Sequence, residues 1–341
     1  MPDSPTAAGT DPLRTAFVTG AGGLLGYWLV QALLAREVRV VVLQRDSAAR
    51  TALRLDGLDA RCTVVQGDLL DARLLEQTLA EHAVDSVFHL AAQSIVGAGA
   101  QSPIPTFETN VRGTWLLLEA CRVQEVERVV VASTDRAYGP PRALPYAEGM
   151  PLDARQPYDV SKAAADLIAR SYFHTYGLPV GVVRFTNVYG GGDLNRSRLV
   201  PELVGAVLAG RSPQIHTDGS PKRDFLHASD AAAAALAVAG MLGAGTQSSP
   251  ATAGGPAAGQ AFNAGGGTVT SVRDATDLLI RIAGAGVTAE YGDAPVTAGE
   301  VDREPADTAR LRTLTGWAPR KSLEDGLRDT VAWYRDHPGT L

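Results

Sequence analysis

The sequence predicts an α/β fold built on a doubly wound parallel sheet, followed by a smaller C-terminal lobe. A glycine-rich turn near the start, in the stretch RTAFVTGAGGLLG from Arg14 to Gly26, joins a short apolar run to a helical pattern. Short β-branched runs and helical segments then alternate through the first half of the chain. After about Asn187 the alternation becomes irregular. Regular alternation of this kind is typical of a Rossmann-type sheet with helices on both faces.

The glycine-rich turn predicts a seat for an anion between the first strand and the first helix. Gly20, Gly23 and Gly26 follow the apolar run 16–18. In such a turn one glycine makes the bend, one lets backbone N–H groups approach a pyrophosphate, and one lets helix and strand pack closely. The partial positive charge at the helix N-terminus favours the phosphates. Because the spacing is Gly-x-x-Gly-x-x-Gly rather than Gly-x-Gly-x-x-Gly, a purely structural loop is the alternative.

The remaining elements follow in chain order. We predict strands at 38–43, 62–66, 86–90, 128–133 and 180–186. Helices are predicted near 24–35, 71–82, 106–124 and 158–176. Later segments lie near 198–210, 214–218, 229–242, 261–264, 271–283, 307–315 and 323–335. Ligands of such sheets bind outside the carboxyl ends of the strands, so the polar residues that follow the strands are candidates for a site.

This pattern divides the chain into unequal parts. Residues 14–186, with later returns, form the predicted Rossmann domain, and residues 187–341 mainly form the lobe, which is expected to bind the substrate. Residues 1–13 lack the basic start and apolar core of a signal peptide and are expected to be a disordered tail. The low-complexity run 243–260 has almost no bulky side chains, which predicts a flexible surface insertion.

Composition and charge argue against several classes of function. The chain has 341 residues and a formal net charge of −6, so neither nucleic acid nor an anionic membrane is an expected partner. The longest apolar run, 231–242, is too short to span a bilayer. Cys62 and Cys121 offer neither metal-ligand spacing nor a disulfide framework, and a reducing cytoplasm is the expected compartment. The histidines are scattered without ligand spacing, so no metal site is expected.

Tyr158 and Lys162 lie four residues apart in PYDVSKAAADLIARSY, a segment with helical periodicity. This spacing puts both side chains on one face of a helix, near its start after Pro157. A nearby ammonium favours the phenolate and lowers the pKa of a tyrosine, so Tyr158 would act as a general base near neutral pH. Taken alone, the spacing also fits a half-buried Tyr beside a solvated Lys. The pair gains weight because Ser133 and Thr134 end an earlier strand at the same predicted edge.

Seven short motifs follow one another along the chain. They are TGAGGLLG, FHLAAQ ending at Gln93, NVRGT from Asn110, STDRAYG from Ser133, YDVSK from Tyr158, RFTNVYG from Arg184 and RDFLH from Arg223. In this order they resemble the extended short-chain dehydrogenase/reductases, and more narrowly the branch that acts on nucleotide sugars. The resemblance runs from about Arg14 to the final helices and implies an NAD-dependent enzyme whose substrate is a nucleotide-diphosphate sugar.

The resemblance implies a role for each matching residue. Tyr158 would take the proton of the sugar 4-hydroxyl, Thr134 would hydrogen-bond that hydroxyl, and Lys162 would hold the nicotinamide ribose. Asn187 and Arg223 would hold the substrate diphosphate. The expected cofactor contacts are Gly20, Gly23, Gly26, Arg45, Asp68, Leu69, Ala91, Gln93 and Lys162. The expected substrate contacts are Thr134, Asp135, Arg136, Asn187, Arg196, Arg198, Leu199 and Arg223.

Two departures from the family's pattern leave choices open. Gln44 and Arg45 follow the second strand, where NAD-binding members usually place an Asp on the ribose 2′-hydroxyl. A guanidinium there would instead meet a 2′-phosphate, so NADP is not excluded, although Asp46 would supply the missing acceptor. Thr297 stands where related sequences often have an Arg, so one phosphate contact is absent or comes from elsewhere.

The branch contains two reactions that begin with the same 4-keto sugar. A 4,6-dehydratase also needs an acid and a base beside the sugar, usually Asp followed by Glu or Lys, and this chain has Asp135 and Arg136. Asp135 would serve as the acid, but a guanidinium with a pKa above ~12 does not readily serve as a base. A 4-epimerase needs no second base, so the chemistry favours an epimerase. The stretch GGGDLNRSRLVP from Gly190 instead resembles CDP-glucose 4,6-dehydratases, which keeps a dehydratase as the alternative.

The arginines near the predicted sugar lead to a narrower hypothesis. One or more of Arg136, Arg196 and Arg198 would pair with a carboxylate at C6, which makes UDP-glucuronate, converted to UDP-galacturonate, a candidate substrate beside a neutral UDP-hexose. Surface positions or diphosphate contacts would explain Arg196 and Arg198 as well. A non-catalytic regulator that senses dinucleotides is the alternative from another class.

An apolar stretch, 115–118, lies on the predicted helix before the strand at 128–133. In the resembled family this helix and the helix that bears Tyr158 form a dimer interface, which implies a homodimer. Burial between helices of a single chain would produce the same pattern.

Overall fold

The computed structural model describes residues 12–46, 50–140, 144–243, 254–294 and 305–341. Its strands are β1 (Thr15–Thr19), β2 (Arg39–Gln44), β3 (Thr63–Gln66), β4 (Ser86–His89), β5 (Arg128–Thr134), β6 (Val180–Phe185), β7 (Asn187–Tyr189), β8 (Gln214–Ile215), β9 (Lys222–His227), β10 (Ala261–Ala264), β11 (Val269–Ser271) and β12 (Glu290–Tyr291). Its α-helices are α1 (Leu24–Leu34), α2 (Ala52–Leu55), α3 (Ala72–Glu81), α4 (Val96–Gln101), α5 (Pro103–Phe107), α6 (Gly113–Val123), α7 (Pro157–Tyr176), α8 (Leu199–Leu208), α9 (Ala228–Gly240), α10 (Val272–Ala283), α11 (Ala309–Thr315) and α12 (Leu323–Asp336).

Seven strands form the main sheet in the order β10-β6-β5-β4-β1-β2-β3, and every neighbouring pair is parallel. The chain first adds strands on one side of β1 and then, from β4 onward, on the other side. Such a reversal opens a crevice at the carboxyl ends of the two central strands. The predicted doubly wound parallel sheet is therefore confirmed.

Both faces of the sheet are covered by helices. The residues of β1, β5 and β6 are buried along their whole length, as expected for strands that read as continuous apolar runs. Helices α1 and α9 pack on one face, and α3, α6 and α7 pack on the other. Since α9 and β10 come late in the chain, the Rossmann layer is completed by segments that follow Asn187.

The predicted helix 106–124 differs from the observed one. The helical run starts earlier, at α5, and its middle turn, Glu108–Arg112, is a π-helix before α6 begins. The Asn110 side chain in this turn points inward: its Nδ2 donates to the Gln93 carbonyl at 3.1 Å and to Ser161 Oγ at 2.9 Å. Turns of this kind often occur at functional sites. Here the wider turn lets one side chain join the loop after β4 to α7.

The lobe is a second, smaller layer. Its strands form a three-stranded sheet, β11-β9-β7, and a two-stranded sheet, β12-β8. Helices α8, α10 and α12 close a separate apolar core with the residues Tyr189, Leu203, Val204, Leu279 and Val331. Because β7 directly follows β6 and pairs with β9, the lobe is attached at the carboxyl edge of the main sheet.

Parts of three expectations fall outside the described residues, namely the tail 1–11, the segment 244–253 and the position of Thr297. Within residues 254–260 of the run that was predicted to be a surface insertion, some positions are exposed and others are buried. Ala257 is fully buried and Ala258 nearly so, and both lie in the core beside α9. Small side chains here allow close packing. Among the described helices, none is long and apolar enough to cross a membrane.

Candidate active site

A cleft of about 710 Å³ lies along the carboxyl ends of the strands. It runs from the loop after β2, past the glycine-rich turn, to the first residues of α8. The predicted site residues that line it are Gly20, Gly23, Gly26, Arg45, Asp68, Leu69, Ala91, Thr134, Asp135, Arg136, Tyr158, Lys162, Asn187, Arg198, Leu199 and Arg223. The structure thus brings together residues that are as far apart in the sequence as Gly20 and Arg223.

The glycine-rich turn forms the floor of the cleft, and its geometry requires glycine. Gly20 has a φ of 74°, and a Cβ there would lie 2.6 Å from the backbone nitrogen of Ala91. A Cβ at Gly26 would lie 2.2 Å from the carbonyl oxygen of Gly20, so the start of α1 can pack against β1 only without a side chain. Gly23, the N-cap of α1, meets only the Gly20 oxygen at an ordinary 3.4 Å.

This turn fits a dinucleotide. Packing within the protein would allow a side chain at position 23. Because Gly23 has none, there is more space in the cleft that it lines. The first backbone N–H groups of α1 lack partners within the helix, and an anion placed there would accept hydrogen bonds from them. Gly20, Gly23 and Gly26 therefore provide the space and the backbone donors that the pyrophosphate of a dinucleotide would need.

The far end of the cleft is polar. Arg45 and Asp46 line it after β2, and the Gln44 side-chain nitrogen donates to the Asp46 carbonyl at 2.9 Å. Asp68 and Leu69 lie opposite, after β3. Three residues that we did not predict, Thr51, Arg54 and Asp59, also line this end. Thr51 is the N-cap of α2, Arg54 lies in that helix, and Asp59 begins the 3₁₀ turn Asp59–Arg61. Elements this short give no periodic signal in the sequence.

Tyr158 and Lys162 lie on the first two turns of α7, which begins at Pro157. Lys162 is buried and its Nζ donates to the Ala132 carbonyl of β5 at 2.8 Å. This hydrogen bond fastens the start of α7 to the strand that ends in Thr134. Burial lowers the pKa of Lys162 to about 8, partly opposed by the nearby Asp166 carboxylate.

The Tyr158 phenol is not acidified by Lys162 in the protein alone, so that part of the prediction is wrong. Burial raises the pKa of Tyr158 to about 12, and the positive charges that oppose the rise are those of Arg198 and Arg136. The physical reason is that desolvation penalises the phenolate more than the surrounding cations favour it. The geometry of the pair is as predicted, since both side chains line the cleft.

The turn after β5 carries the next three predicted residues. Thr134 Oγ1 donates to Asp135 Oδ1 at 3.1 Å and accepts from the Arg136 backbone nitrogen at 3.3 Å. Arg136 reaches back to α7, where its Nε and Nη2 contact the two carboxylate oxygens of Asp159 at 2.7 and 3.4 Å. Asp159 directly follows Tyr158, and its pairing with Arg136 was not predicted because the two are 23 residues apart.

The lobe contributes the remaining side chains. Asn187 Nδ2 donates to the Asp224 carbonyl at 3.3 Å, and Arg223 lines the cleft from β9. Arg198 Nη1 contacts Asp193 Oδ2 at 3.1 Å, and its Nη2 donates to Ser94 Oγ at 2.7 Å. Arg198 therefore spans the cleft, because Ser94 follows β4 and Asp193 belongs to the lobe side.

Two predicted contacts are not among the residues that line the cleft. Gln93 is tied to the helical layer instead, because its backbone nitrogen donates to Asn110 Oδ1 at 2.7 Å. Arg196 is exposed on the loop before α8. A motif places such residues in the correct segment, but the direction of each side chain depends on contacts elsewhere in the fold.

His89 ends β4 beneath the cleft and is a structural residue. Its ring nitrogens contact Thr19 Oγ1 at 2.8 Å and Thr114 Oγ1 at 2.9 Å, and burial lowers its pKa to about 3. Within the described ranges, no group of three or more His, Cys, Asp and Glu side chains is arranged to hold a metal ion.

Comparison with known proteins gives a consistent result. The model of the NAD-dependent epimerase/dehydratase family matches residues 16–254. A UDP-glucose 4-epimerase of Mycolicibacterium smegmatis is 34% identical over 95% of this chain and 99% of its own length. A dTDP-glucose 4,6-dehydratase of Streptomyces antibioticus is 34% identical over 94% of this chain and 92% of its own. The structure of a Bacillus cereus UDP-glucuronic acid 4-epimerase with UDP-glucuronic acid and NAD is similar with a TM-score of 0.81 and 25% identity, over 95% of this chain and 100% of that one.

The buried state of Lys162 predicts a pH dependence of stability. Its pKa is about 8 in the folded protein against an ordinary 10.5, so between these values the unfolded chain binds more protons and stability rises with pH. Because methionine does not titrate, the Lys162→Met variant lacks this rise in stability with pH. Denaturant unfolding from pH 7 to 10.5 is therefore expected to show the free energy of unfolding of the wild type increasing relative to that of the variant. The exposed Lys222→Met is the control, and a constant difference for Lys162→Met would contradict the buried ammonium.

Proposed function

We propose that this chain, which belongs to the NAD-dependent epimerase/dehydratase family, is a nucleotide-sugar 4-epimerase. Membership of this family confirms the resemblance that the sequence motifs predicted, and it confirms NAD as the cofactor. The observation that carries the choice of reaction is the state of residue 136. Where a dehydratase needs a base next to its acid, this protein has a guanidinium held by Asp159.

The residues along the cleft supply what the oxidation of a sugar at C4 requires. NAD, when bound, supplies the hydride acceptor and later the hydride donor for C4. Tyr158 takes the proton of the 4-hydroxyl and returns it to the same oxygen after the 4-keto sugar has turned over. Thr134, whose hydroxyl lies at the end of β5, orients that oxygen, and Lys162 holds the cofactor ribose. Gly20, Gly23 and Gly26 seat the pyrophosphate, beside the cofactor contacts proposed at Arg45, Asp68, Leu69 and Ala91.

The charges around Tyr158 explain how one phenol serves in both directions. Burial raises the pKa of Tyr158 to about 12, so the phenolate that takes the sugar proton forms only with the help of nearby positive charge. The phenol that results is then the acid for the return step. Arg198 and Arg136 favour the phenolate and so support the forward step. We propose that Arg223 and Asn187 hold the diphosphate, and this is supported by their both lining the cleft from the lobe.

Replacing Tyr158 tests the proton transfer. Tyr158→Phe is expected to lower kcat/KM by about 10²–10⁴-fold, because the general acid–base step is lost while the ring and its packing remain. Turnover of a nucleotide sugar measured by chromatography checks this. The exposed Tyr176→Phe, at the end of the same helix, should leave the rate unchanged. Full activity of Tyr158→Phe would remove the proposed role.

A 4,6-dehydratase is the second candidate, because a relative at 34% identity bears that name and Asp135 lies buried beside the cleft. The mass of the product separates the candidates when the protein is incubated with UDP-, dTDP- and CDP-glucose. We expect a new stereoisomer of unchanged mass. Loss of one water would instead establish dehydration, and no conversion of any sugar would favour the non-catalytic regulator.

The hypothesis of a uronate substrate has less support than that of a neutral UDP-hexose. Arg136 and Arg198 each already face a carboxylate of the protein, Asp159 and Asp193, so neither offers an uncompensated charge to a C6 carboxylate. What favours a uronate is the similarity to the UDP-glucuronic acid 4-epimerase.

Comparing two substrates decides between these forms. We expect kcat/KM to be higher for UDP-glucose than for UDP-glucuronate, because the paired arginines present little net charge. Asp159→Asn should then raise relative activity on UDP-glucuronate by removing the competing carboxylate. A preference of the wild type for UDP-glucuronate that Arg136→Ala abolishes would overturn this expectation and establish the carboxylate contact.

We further propose a homodimer formed through α6 and α7. Leu117 and Leu118 are fully buried within the chain, so the alternative of burial inside one chain accounts for them. Trp115 on α6 and Leu167 on α7 are 42% and 53% exposed, which leaves an apolar face on this helix pair.

The two free cysteines are in keeping with the proposed cytoplasmic location.

Sedimentation velocity tests the dimer. The wild type should sediment as a dimer at ~10 μM, and Leu167→Glu should sediment as a monomer because it places a charge in an apolar interface. Leu208→Glu changes an exposed leucine of the lobe, on α8, and should remain dimeric. A monomeric wild type, or a dimer in both variants, would reject this interface.

A further inference from the structure

Arg184 is a charged side chain buried in the main sheet, on the strand next to the edge strand β10, and the proposed reaction does not use it. It lies on β6, is 1% exposed and is among the largest fully buried side chains of the protein. Every nitrogen of its guanidinium has a partner: Nε and Nη2 contact Asp166, and Nη1 contacts Tyr138 and the Glu148 carbonyl. Burying an arginine so completely is unfavourable unless such a set of partners is maintained.

One group of contacts holds α7. Arg184 Nε and Nη2 form a fork with the two oxygens of Asp166 at 2.7 and 3.0 Å. Asp166 lies four residues after Lys162 and eight after Tyr158, which places all three on one face of the helix. A two-pronged pair fixes direction as well as distance, so the fork sets the rotation of α7 about its axis.

The other group holds the turn after β5. Arg184 Nη1 donates to the Tyr138 hydroxyl at 2.8 Å, and that hydroxyl donates in turn to Asn263 Oδ1 of β10 at 2.7 Å. Tyr138 ends the 3₁₀ turn Asp135–Tyr138, which follows Thr134 directly. The ring is further held by a stack on Tyr146, with centroids 5.0 Å apart.

We propose that Arg184, through Asp166 on one side and Tyr138 on the other, is a positioning residue that fixes the Thr134 hydroxyl relative to the Tyr158 phenol. The inference rests on the proposed oxidation step at Tyr158. Thr134 and Tyr158 are 24 residues apart and belong to separate segments. The guanidinium joins these segments through its contacts with the side chains of Tyr138 and Asp166. A misplacement of about 1 Å between reacting groups is enough to slow a reaction by ~10²-fold.

Removal of one hydroxyl tests the proposal with little change in volume. Tyr138→Phe should lower kcat about tenfold or more, because the turn loses its link to Arg184 and Asn263. KM for the sugar and the NAD content of the purified protein should stay within about twofold, since Tyr138 is not among the residues that line the cleft. Tyr172→Phe also removes one phenol hydrogen bond, to Glu119 from α7, and should keep full kcat.

Two further measurements separate positioning from loss of structure. Arg184→Lys keeps the charge but not the fork, so it should resemble Tyr138→Phe in kcat and not restore the rate. Sugar-dependent formation of NADH in the first turnover should slow in the same proportion, and this step is common to an epimerase and a dehydratase. A kcat for Tyr138→Phe equal to that of the wild type, or a fall that is entirely in KM, would overturn the proposal.

Hydrogen exchange gives a readout that does not depend on activity. If no sugar is converted by the wild type, the proposed function fails, but the positioning claim still predicts faster exchange in Tyr138→Phe. The amides of 135–139 and of the first turns of α7 should both exchange faster than in Tyr172→Phe, because the bridge joins them. Unchanged exchange in either segment would overturn it.

Discussion

The active cleft depends on how the first turns of α7 are held against the carboxyl edge of the sheet. Lys162 contacts the Ala132 carbonyl of β5, and Asp166 one turn later forms a buried fork with Arg184 of β6. Both contacts are removed from water, so each would be costly to break and leave a charged or polar group without a partner. The same helix face carries Tyr158, which is why its position follows from these contacts.

Burial at the start of α7 acts against charge on both members of the Tyr158–Lys162 pair. Burial that holds the helix also raises the pKa of Tyr158 and lowers that of Lys162, and both shifts disfavour the charged forms. A nearby opposite charge favours the phenolate and the ammonium. A charged ligand that binds beside either group would therefore shift the pKa of that group. A site with the same residues in open solvent would keep ordinary pKa values and gain less from binding.

The sequence was informative wherever function demands a backbone geometry. Gly20 and Gly26 were predictable because a side chain at either position would collide with neighbouring backbone atoms. The parallel sheet followed from strand–helix alternation, and α7 from its periodicity after Pro157. By contrast, the partner of Arg136 and the bond from the Gln93 backbone nitrogen to Asn110 depend on contacts across 23 and 17 residues, which no local pattern records.

The π-helical turn at Asn110 and the buried end of the low-complexity run escaped prediction for a related reason. In both places the tertiary contact decides the local structure, not the intrinsic preference of the segment. Asn110 widens its helix to reach Gln93 and Ser161, and Ala257 is buried because small residues suit the space beside α9. A run of small residues can be mobile or closely packed, so its composition alone does not distinguish the two.

The pairing of Arg136 with Asp159 matters more than either residue alone. A lone guanidinium beside the sugar would attract a carboxylate, whereas an ion pair offers N–H donors with little net charge. Such a pair can hydrogen-bond a neutral hydroxyl at C6 and at the same time cannot remove a proton from C5. Because Asp159 is adjacent to Tyr158 on α7, the carboxylate that holds Arg136 lies on the same turn as the phenol of the proposed oxidation. In the proposed epimerase, the pairing of Arg136 and the proton transfer thus involve two neighbouring residues of one turn.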